Sequence, residues 1–417
     1  MQIAIIGGGA AGFFMAIHLK KGLPESQVTI YEKRNKVLSK VAVSGGGRCN
    51  LTNSFENVKD LKTVYPRGHK LLKRLFNIFD QHDAYTWFEN HGVRLTTQDD
   101  QCVFPQSQNA MSVVNCLQNE AALLGVSVRT SHSVSSISRC HESGKYIISF
   151  AEEHLHDAEA DIIAVTTGGH PRKEDFMGLK ALGHQIETPI PSLFTFNIKD
   201  SRITQLSGLV IDPACVMIPG TKHKSEGALL ITHWGMSGPA ILKLSSYAAR
   251  DVYQKEYRFT LSVNWADESP DSVTDSLQEI IRNYGNKQLN NIRPYNLPSR
   301  LWTFLLDKYA IPEDKKWNQL SKKEFNVLVN TLSNDHYQVD GKGAFKEEFV
   351  TCGGISLSAV HPQTLESKTS EGLYFAGEVL DIDAVTGGFN FQAAWTTAFT
   401  VSKAILEKQR NQNQPPA

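Results

Sequence analysis

The chain has no excess charge of either sign: lysine plus arginine and aspartate plus glutamate both count 43, for a formal net charge of zero. That balance excludes a general electrostatic pull toward nucleic acid or an anionic membrane, leaving only a local basic patch as a route to either. The six cysteines (Cys49, Cys102, Cys116, Cys140, Cys215 and Cys352) are scattered, with no CxxC pair. Neither a zinc site nor a dithiol redox centre is signalled, and no metal is expected. Long apolar runs are also missing. Met1 and Gln2 lead straight into an apolar strand, without a charged leader or a segment of membrane length, so the expectation is a cytoplasmic protein with no membrane partner. GxGxxG occurs once, at Gly7, Gly9 and Gly12, so a second dinucleotide domain dedicated to NAD(P)H is not expected.

What is present reads as a folded chain of more than one domain. Its 417 residues exceed what one hydrophobic core usually serves, and 41% apolar with 21% charged residues is ordinary globular composition. The first stretch, QIAIIGGGAAGFFMAIHLKKGLPESQVTIYEKR, carries the most chemistry. Ile3 to Ile6 form a short buried-strand run, Ala10 to Lys21 continue as a helix, and a second strand over Gln27 to Tyr31 ends in Glu32, twenty residues past Gly12. Gly7 makes the tight turn, Gly9 lets a pyrophosphate approach the backbone, and Gly12 lets helix pack on strand. Ala10 and Ala11 open a helix whose N-terminus faces the phosphates. Glu32 would hold the adenosine ribose hydroxyls, and a carboxylate there disfavours a 2′-phosphate. That argues against NADP at this site and leaves FAD and NAD.

Downstream, the apolar spacing over Lys70 to His91 predicts a helical region, and Ala110 to Leu124 a second amphipathic helix before a strand at Val126 to Arg129. KYIISF and DIIAVTTGG read as strands, the latter bringing Gly168 and Gly169 to the carboxyl edge of a sheet. From about Pro191 short β-like runs (LFTFNI, GLVIDPACVMI, YRFTLSVNW) predict a barrel-like unit. A helix then follows with Ser269 as N-cap, Pro270 at its first position and Gly285 as its stop, with further helical stretches at Pro298 to Tyr309 and Lys322 to Leu332. After Phe349 the glycine-rich texture returns in TCGGISL, GLYFAGEVLD and TGGFNFQAAWTTAFTVSKAIL. The expected fold is α/β: a FAD-binding Rossmann-type domain interrupted by a β-barrel-like plus helical module. Its expected pieces are 1–190 (cofactor domain, first part), 191–265 (barrel-like), 266–345 (helical) and 346–417 (cofactor domain, completed). A cofactor domain closed from both ends of the chain suits a long ligand, which favours FAD over NAD. The helix opening near Phe389, with Asn390 and Gln392 as extra donors, offers the free N–H groups that stabilise negative charge on a reduced flavin ring.

Four segments in order, GGGAAG with Glu32, SGGGRCNLTN, ITHWGMSGPAIL and AGEVLDIDAVTGGFNFQAAW, together resemble the bacterial NAD(P)/FAD-dependent oxidoreductases. That family includes an aminoacetone oxidase and flavoproteins linked to bile-acid reduction, and the resemblance runs along essentially the whole chain. It implies a FAD-binding domain of glutathione-reductase type, with Lys33 and Lys40 near the ribose and phosphates, Val134 meeting adenine through its backbone, and Thr167 and Gly168 lining the same channel. Gly377 and Glu378 are implied at the ribityl chain and pyrophosphate, and Gly388, Asn390, Phe391 and Gln392 at the isoalloxazine edge. In SGGGRCNLTN the expectation is that Ser44, Gly45, Gly46 and Gly47 press backbone against the flavin while Arg48 and Asn50 supply donors. Cys49 reads as a structural thiol rather than a redox group. His233 is the candidate catalytic residue, weighed against a histidine that only bonds a loop.

The function implied is a FAD-dependent oxidoreductase acting on a small organic substrate. It would be either an oxidase, of the aminoacetone-amine type, or an NAD(P)H-linked reductase, with NAD(P)H or oxygen as redox partner. The alternative is a flavin-dependent protein that modifies or binds RNA, with Lys316, Lys322, Lys323, Arg293 and Arg300 as its basic surface.

Overall fold

A computed structural model describes residues 1–140, 142–169, 176, 178–343 and 350–412. The chain divides into two units, Met1–Pro191 with Val350–Ala417, and Ser192–Phe349. The expected boundary at 345/346 lies outside the described residues.

The first unit is built on strand β1 (Gln2–Ile6), helix α1 (Ala10–Gly22) and strand β2 (Gln27–Tyr31). Ile3, Ala4, Ile5 and Ile6 are all buried, as expected for a strand covered on both faces. It lies at the centre of a five-stranded sheet in the order 373–375, 162–165, β1, β2, 127–129, in which every pairing is parallel. The register sets Ile6 beside Val165 and Tyr31, so the turns leaving β1, β2 and Ile162–Val165 open on one edge. Two glycines let those turns close up. A Cβ on Gly7 (φ 115°) would lie 2.6 Å from the Thr166 carbonyl oxygen, and one on Gly12 2.1 Å from the Gly7 oxygen.

The C-terminal helix Phe389–Gln412 is buried along Ala393, Trp395, Ala398 and Val401, and its Ser402 hydroxyl donates to the Met15 carbonyl of α1 at 3.4 Å. The region 70–91, read as helical throughout, is two helices, His69–Leu75 and Gln81–Asn90. Asp80 divides them: its side chain accepts from the backbone N–H groups of His82 and Asp83, and Asp83 returns the bond to the Asp80 N–H. That is a capping box, a stronger start signal than the apolar spacing that runs across it.

The second unit holds a closed six-stranded barrel in the order 196–198, 235–237, 224–231, 210–217, 258–264, 335–342. Asp335–Lys342 is a strand inside the stretch expected to be helical, and it pairs with Arg258–Val263. Barrel and helices therefore do not separate at residue 265. The module is one core, in which Val216, Leu261 and Val339 of the barrel join Leu277, Trp302, Trp317 and Leu328 of the helices. Helix Pro270–Tyr284 begins as its cap residues dictate, with the Ser269 hydroxyl accepting the Ser272 N–H at 3.1 Å. Among the described residues no helix is long and apolar enough to cross a membrane.

Candidate functional site

The carboxyl edge of the parallel sheet gathers most of the residues singled out in the sequence. The N–H groups of Gly9, Ala10, Ala11 and Gly12, at the start of α1, have no acceptor among the described residues. The space a Cβ on Gly9 would enter is open to 4 Å. Four unpaired donors at a positive helix end beside open space make an anion cradle. Glu32, at the end of β2, accepts from the Gly8 N–H at 2.8 Å and the Arg34 N–H at 2.9 Å, and its carboxylate keeps further lone pairs for a ribose. Gly377 closes the cradle from the C-terminal part of the chain. Its N–H is held by the Thr397 hydroxyl at 2.8 Å, and a Cβ there would stand 3.2 Å from that of Ala11.

Lys40 and Glu378, assigned to different parts of the cofactor, meet as an ion pair at 2.9 Å. The other Glu378 oxygen accepts the Thr351 N–H at 2.8 Å, and the Cβ position of Gly168 lies 3.7 Å from the first. Thr167 follows Thr166, whose hydroxyl donates to the Gly7 carbonyl at 2.9 Å. Val134 opens the strand Val134–Arg139 in a separate antiparallel sheet. Lys33 is exposed, with no partner among the described residues.

SGGGRCNLTN follows a short right-handed turn that begins at Ser39, and reverses its hand after an extended Ser44. Gly45, Gly46 and Gly47 take φ of 57°, 69° and 83°, a left-handed run that glycine alone adopts without strain. Ser44 closes the turn by accepting the Cys49 N–H at 3.0 Å. The Cβ positions of Gly46 and Gly47 face open space, which is where a ligand can lie against backbone. Cys49 is fully buried and burial pushes its thiol up to about 12, so it stays protonated and inert.

The polar residues after the glycines have another use. Arg48 lies 4.4 Å over the Phe104 ring and donates to the Gly45 carbonyl at 3.1 Å. The Asn50 amide donates to the Thr52 carbonyl at 2.9 Å and accepts the Gly388 N–H at 3.1 Å. Thr52 donates to the Gln392 amide oxygen at 2.7 Å, and Asn53 to the Gly387 carbonyl at 3.0 Å. The motif is thus laced to the start of the C-terminal helix.

This lacing occupies four side chains that were expected to serve the cofactor. Gln392 is fully buried and its amide nitrogen donates to Thr396 at 3.1 Å, so it offers no donor to a ligand. Asn390 spends its amide on Ala384, accepting from its N–H at 2.9 Å and donating to its carbonyl at 3.1 Å. Asn50 and Arg48 likewise have partners within the chain. The helix end itself is available: the N–H groups of Phe389, Asn390 and Phe391 have no acceptor among the described residues. Phe391 is half-buried and stacks on Trp395 at 5.8 Å. Gly388 is required by the chain rather than by a ligand, since a Cβ there would lie 2.2 Å from the Thr52 carbonyl oxygen.

Several residues of this site escaped the sequence reading: Thr52, Asn53, Tyr65, Arg67, Thr351, Asp383 and Thr397. Thr52 and Asn53 lay in plain view inside SGGGRCNLTN; the others had no local signal. In the second unit, His233 is exposed on the turn between strands Lys224–Ile231 and Gly235–Ser237, its ring 6.1 Å from that of Trp234. The turn is fixed by the Thr232 N–H donating to the Gly235 carbonyl at 2.7 Å.

Two helix N-termini with open donors, an acid at the end of the second strand and a glycine turn facing open space fit a dinucleotide whose flavin end is polarised by a helix. On a Rossmann-type fold these features suit a flavoprotein. The family model for the HI0933-like protein Rossmann domain matches residues 1–404, and the chain belongs to that family, as a FAD-dependent oxidoreductase.

It is 25% identical over 425 residues to the 3-dehydro-bile acid Δ(4,6)-reductase of Clostridium scindens, covering 98% of this chain and 99% of that one. It is 27% identical over 414 residues to the ribosomal RNA dihydrouridine synthase of Escherichia coli, covering 96% and 97%. The like-named protein of Haemophilus influenzae is 27% identical over 412 residues, again with 96% and 97% covered. Among solved structures, the 3-ketosteroid Δ1-dehydrogenase of Sterolibacterium denitrificans shares the fold at a TM-score of 0.50 and 11% identity, over 97% of this chain and 99% of that one.

Proposed function

We propose that this chain is a reductase that saturates a carbon–carbon double bond conjugated to a carbonyl. The observation that carries this is a common chemistry in its full-length relatives. One is named for reducing the 4,6-double bonds of a 3-oxo bile acid, the others for making dihydrouridine, in which the bond conjugated to the uracil carbonyl is saturated. Saturating such a bond adds a hydride at a carbon made electrophilic by the conjugation and a proton at the carbon next to it.

FAD, when bound, supplies the hydride chemistry. The start of α1 and Gly377 would hold the pyrophosphate, and Glu32 the ribose. Gly46 and Gly47 would give the ring a flat backbone seat, and the N–H groups of Phe389 to Phe391 would face the negative charge that the ring gains on reduction. His233, exposed and without a hydrogen bond among the described residues, is the candidate proton donor. His233→Gln should lower kcat while leaving bound FAD unchanged.

The test is an anaerobic titration of the FAD-loaded protein. NADH or NADPH bleaches the flavin bands; a 3-oxo-4,6-diene steroid or ribosomal RNA lacking dihydrouridine then restores them, and the product gains two hydrogens. If neither acceptor restores the bands, the reading fails. Bleaching by aminoacetone alone would establish amine oxidation instead.

For the substrate we favour RNA. Two relatives carry that activity in their names, and the second unit has an open groove of about 580 Å³ lined by Tyr309, Lys322, Lys323, Asn326, Val327 and Asn330. Neither lysine has an acidic partner among the described residues, and lysines with an aromatic and amide side chains suit phosphates and bases. Retention on RNA should fall steeply with salt, and less steeply in Lys322→Gln/Lys323→Gln. An unchanged salt slope would count against RNA at this groove.

A further inference from the structure

In the first unit, a buried ion pair lies beside the segment that carries the proposed flavin-facing helix end. Asp383 is fully buried and the Arg67 side chain is 12% exposed. The guanidinium Nε and Nη2 each donate to one carboxylate oxygen, the fork geometry that fixes both partners in orientation. The two residues also form an isolated antiparallel bridge.

Around this pair, residues 64–68 grip residues 382–389. The Val385 N–H donates to the Val64 carbonyl at 2.9 Å, and the Tyr65 hydroxyl to the Phe389 carbonyl at 2.7 Å. Gly68 leaves room for Ile382, which a Cβ would meet at 2.7 Å. On the other side the Asp381 N–H donates to the Ile355 carbonyl at 2.9 Å.

A buried ion pair is a poor device for stability, because desolvation offsets most of its attraction and an apolar pair of similar volume commonly does as well. The neighbouring backbone and hydroxyl bonds already hold the segment. What the pair adds is a fixed register and a balanced charge close to the first turn of the helix. We propose that Arg67 and Asp383 are positioning residues for the flavin: the fork seats residues 382–389 so that the helix end meets the ring, and its charge balance sets the reduction potential. The inference rests on the flavin edge lying at the N–H groups of Phe389 to Phe391, as in the proposed function.

The test uses the FAD-loaded protein and two readouts independent of turnover, the FAD dissociation constant and the flavin midpoint potential. Asp383→Asn removes the forked partner of Arg67, with Asp381 still nearby, and the added net positive charge should move the potential positive, since reduction adds negative charge. Arg67→Met leaves the carboxylate and should move it negative. The double variant Arg67→Met/Asp383→Asn should return toward the wild-type potential while binding FAD at least several-fold more weakly.

Single variants whose potentials move the same way, or do not move with FAD bound, would overturn the proposal and leave a structural ion pair. Should either single variant fail to fold, Arg67→Lys decides, because it keeps the charge and loses the fork. A wild-type potential with weakened FAD binding supports the proposal, and unchanged FAD affinity overturns it. Failure of the proposed substrate chemistry would leave both readouts intact, so the two readings fail separately.

Discussion

His18 gives the sharpest quantitative test of the packing between α1 and the C-terminal helix. Its ring lies 4.4 Å from Phe14, 5.8 Å from Trp87 and 5.0 Å from Phe399, centroid to centroid. Nδ1 lies 2.7 Å from the Phe14 carbonyl oxygen. Burial among these rings disfavours the imidazolium and lowers the pKa from 6.5 to about 4, against a smaller opposing pull from that carbonyl. The folded pKa is depressed, so the unfolded chain binds the extra proton first as pH falls. Stability from neutral His18 is therefore complete above pH 6.5 and is lost as pH drops toward 4.

The difference between 6.5 and about 4, at ~1.36 kcal/mol per unit, gives roughly 3 kcal/mol over the whole window, of which about 2 kcal/mol is already lost at pH 5. Urea unfolding of the wild type and of His18→Leu at pH 7.5 and 5 separates this from every other titration. The variant should gain about 2 kcal/mol on the wild type between the two pH values. Parallel loss of stability in both proteins would refute the assignment of a neutral, desolvated His18.

Two glycine substitutions should behave differently despite similar backbone angles. Gly388→Ala (φ 85°) drives a Cβ to 2.2 Å from the Thr52 carbonyl oxygen and should cost roughly 2–4 kcal/mol in urea unfolding as well as flavin content. Gly46→Val (φ 69°) meets open space, so its stability loss should stay near ~1–2 kcal/mol while purified flavin falls sharply; full flavin content would remove the turn from the cofactor site. In the second unit, Asp335 is fully buried and accepts from Lys308 at 2.6 Å, Tyr309 at 2.8 Å and the Trp265 indole at 3.1 Å. Asp335→Ala should destabilise by roughly 3–5 kcal/mol by stranding the lysine, and adding Lys308→Met should recover much of it; no recovery would place the loss in the hydroxyl and indole bonds instead.

The parts legible from the sequence were those whose causes are local. The strand Gln27–Tyr31 and the helix starting at Ser269 have the expected bounds because alternation, caps and a terminal Pro or Gly act within a few residues. Asp335–Lys342 was missed for the complementary reason: DHYQVDGK has only Tyr337 and Val339 as apolar residues on its buried face. Its pairing comes from Arg258–Val263, about seventy residues upstream. The donors were harder still. Asn390 and Gln392 were recognisable as amides beside a helix end, yet nothing in the spacing distinguishes an amide that serves a ligand from one that serves Ala384 or Thr52. Arg67 and Asp383, 316 residues apart, have no local signature at all.

The two glycine-rich motifs consequently mean different things. In GGG at 45–47, two of the three glycines face open space, and their left-handed run displays backbone outward. In GG at 387–388, each glycine lies against protein: Gly388 against Thr52, and Gly387 against the Phe389 ring at 2.8 Å. In the proposed function the first run serves the flavin, whereas the second serves the first motif, through Asn50, Thr52 and Asn53. A flavin seat built this way has its two walls tied to each other before any ligand arrives, so binding need not spend energy on ordering them. The segment most exposed to mutation is then not the turn itself but the asparagine and threonine lacing. Thr52→Val, which strands the buried Gln392 oxygen, should cost about 1–3 kcal/mol in unfolding and loosen FAD binding without touching a ligand contact. An unchanged FAD dissociation constant in a variant destabilised by that amount would show that the two walls hold the flavin independently.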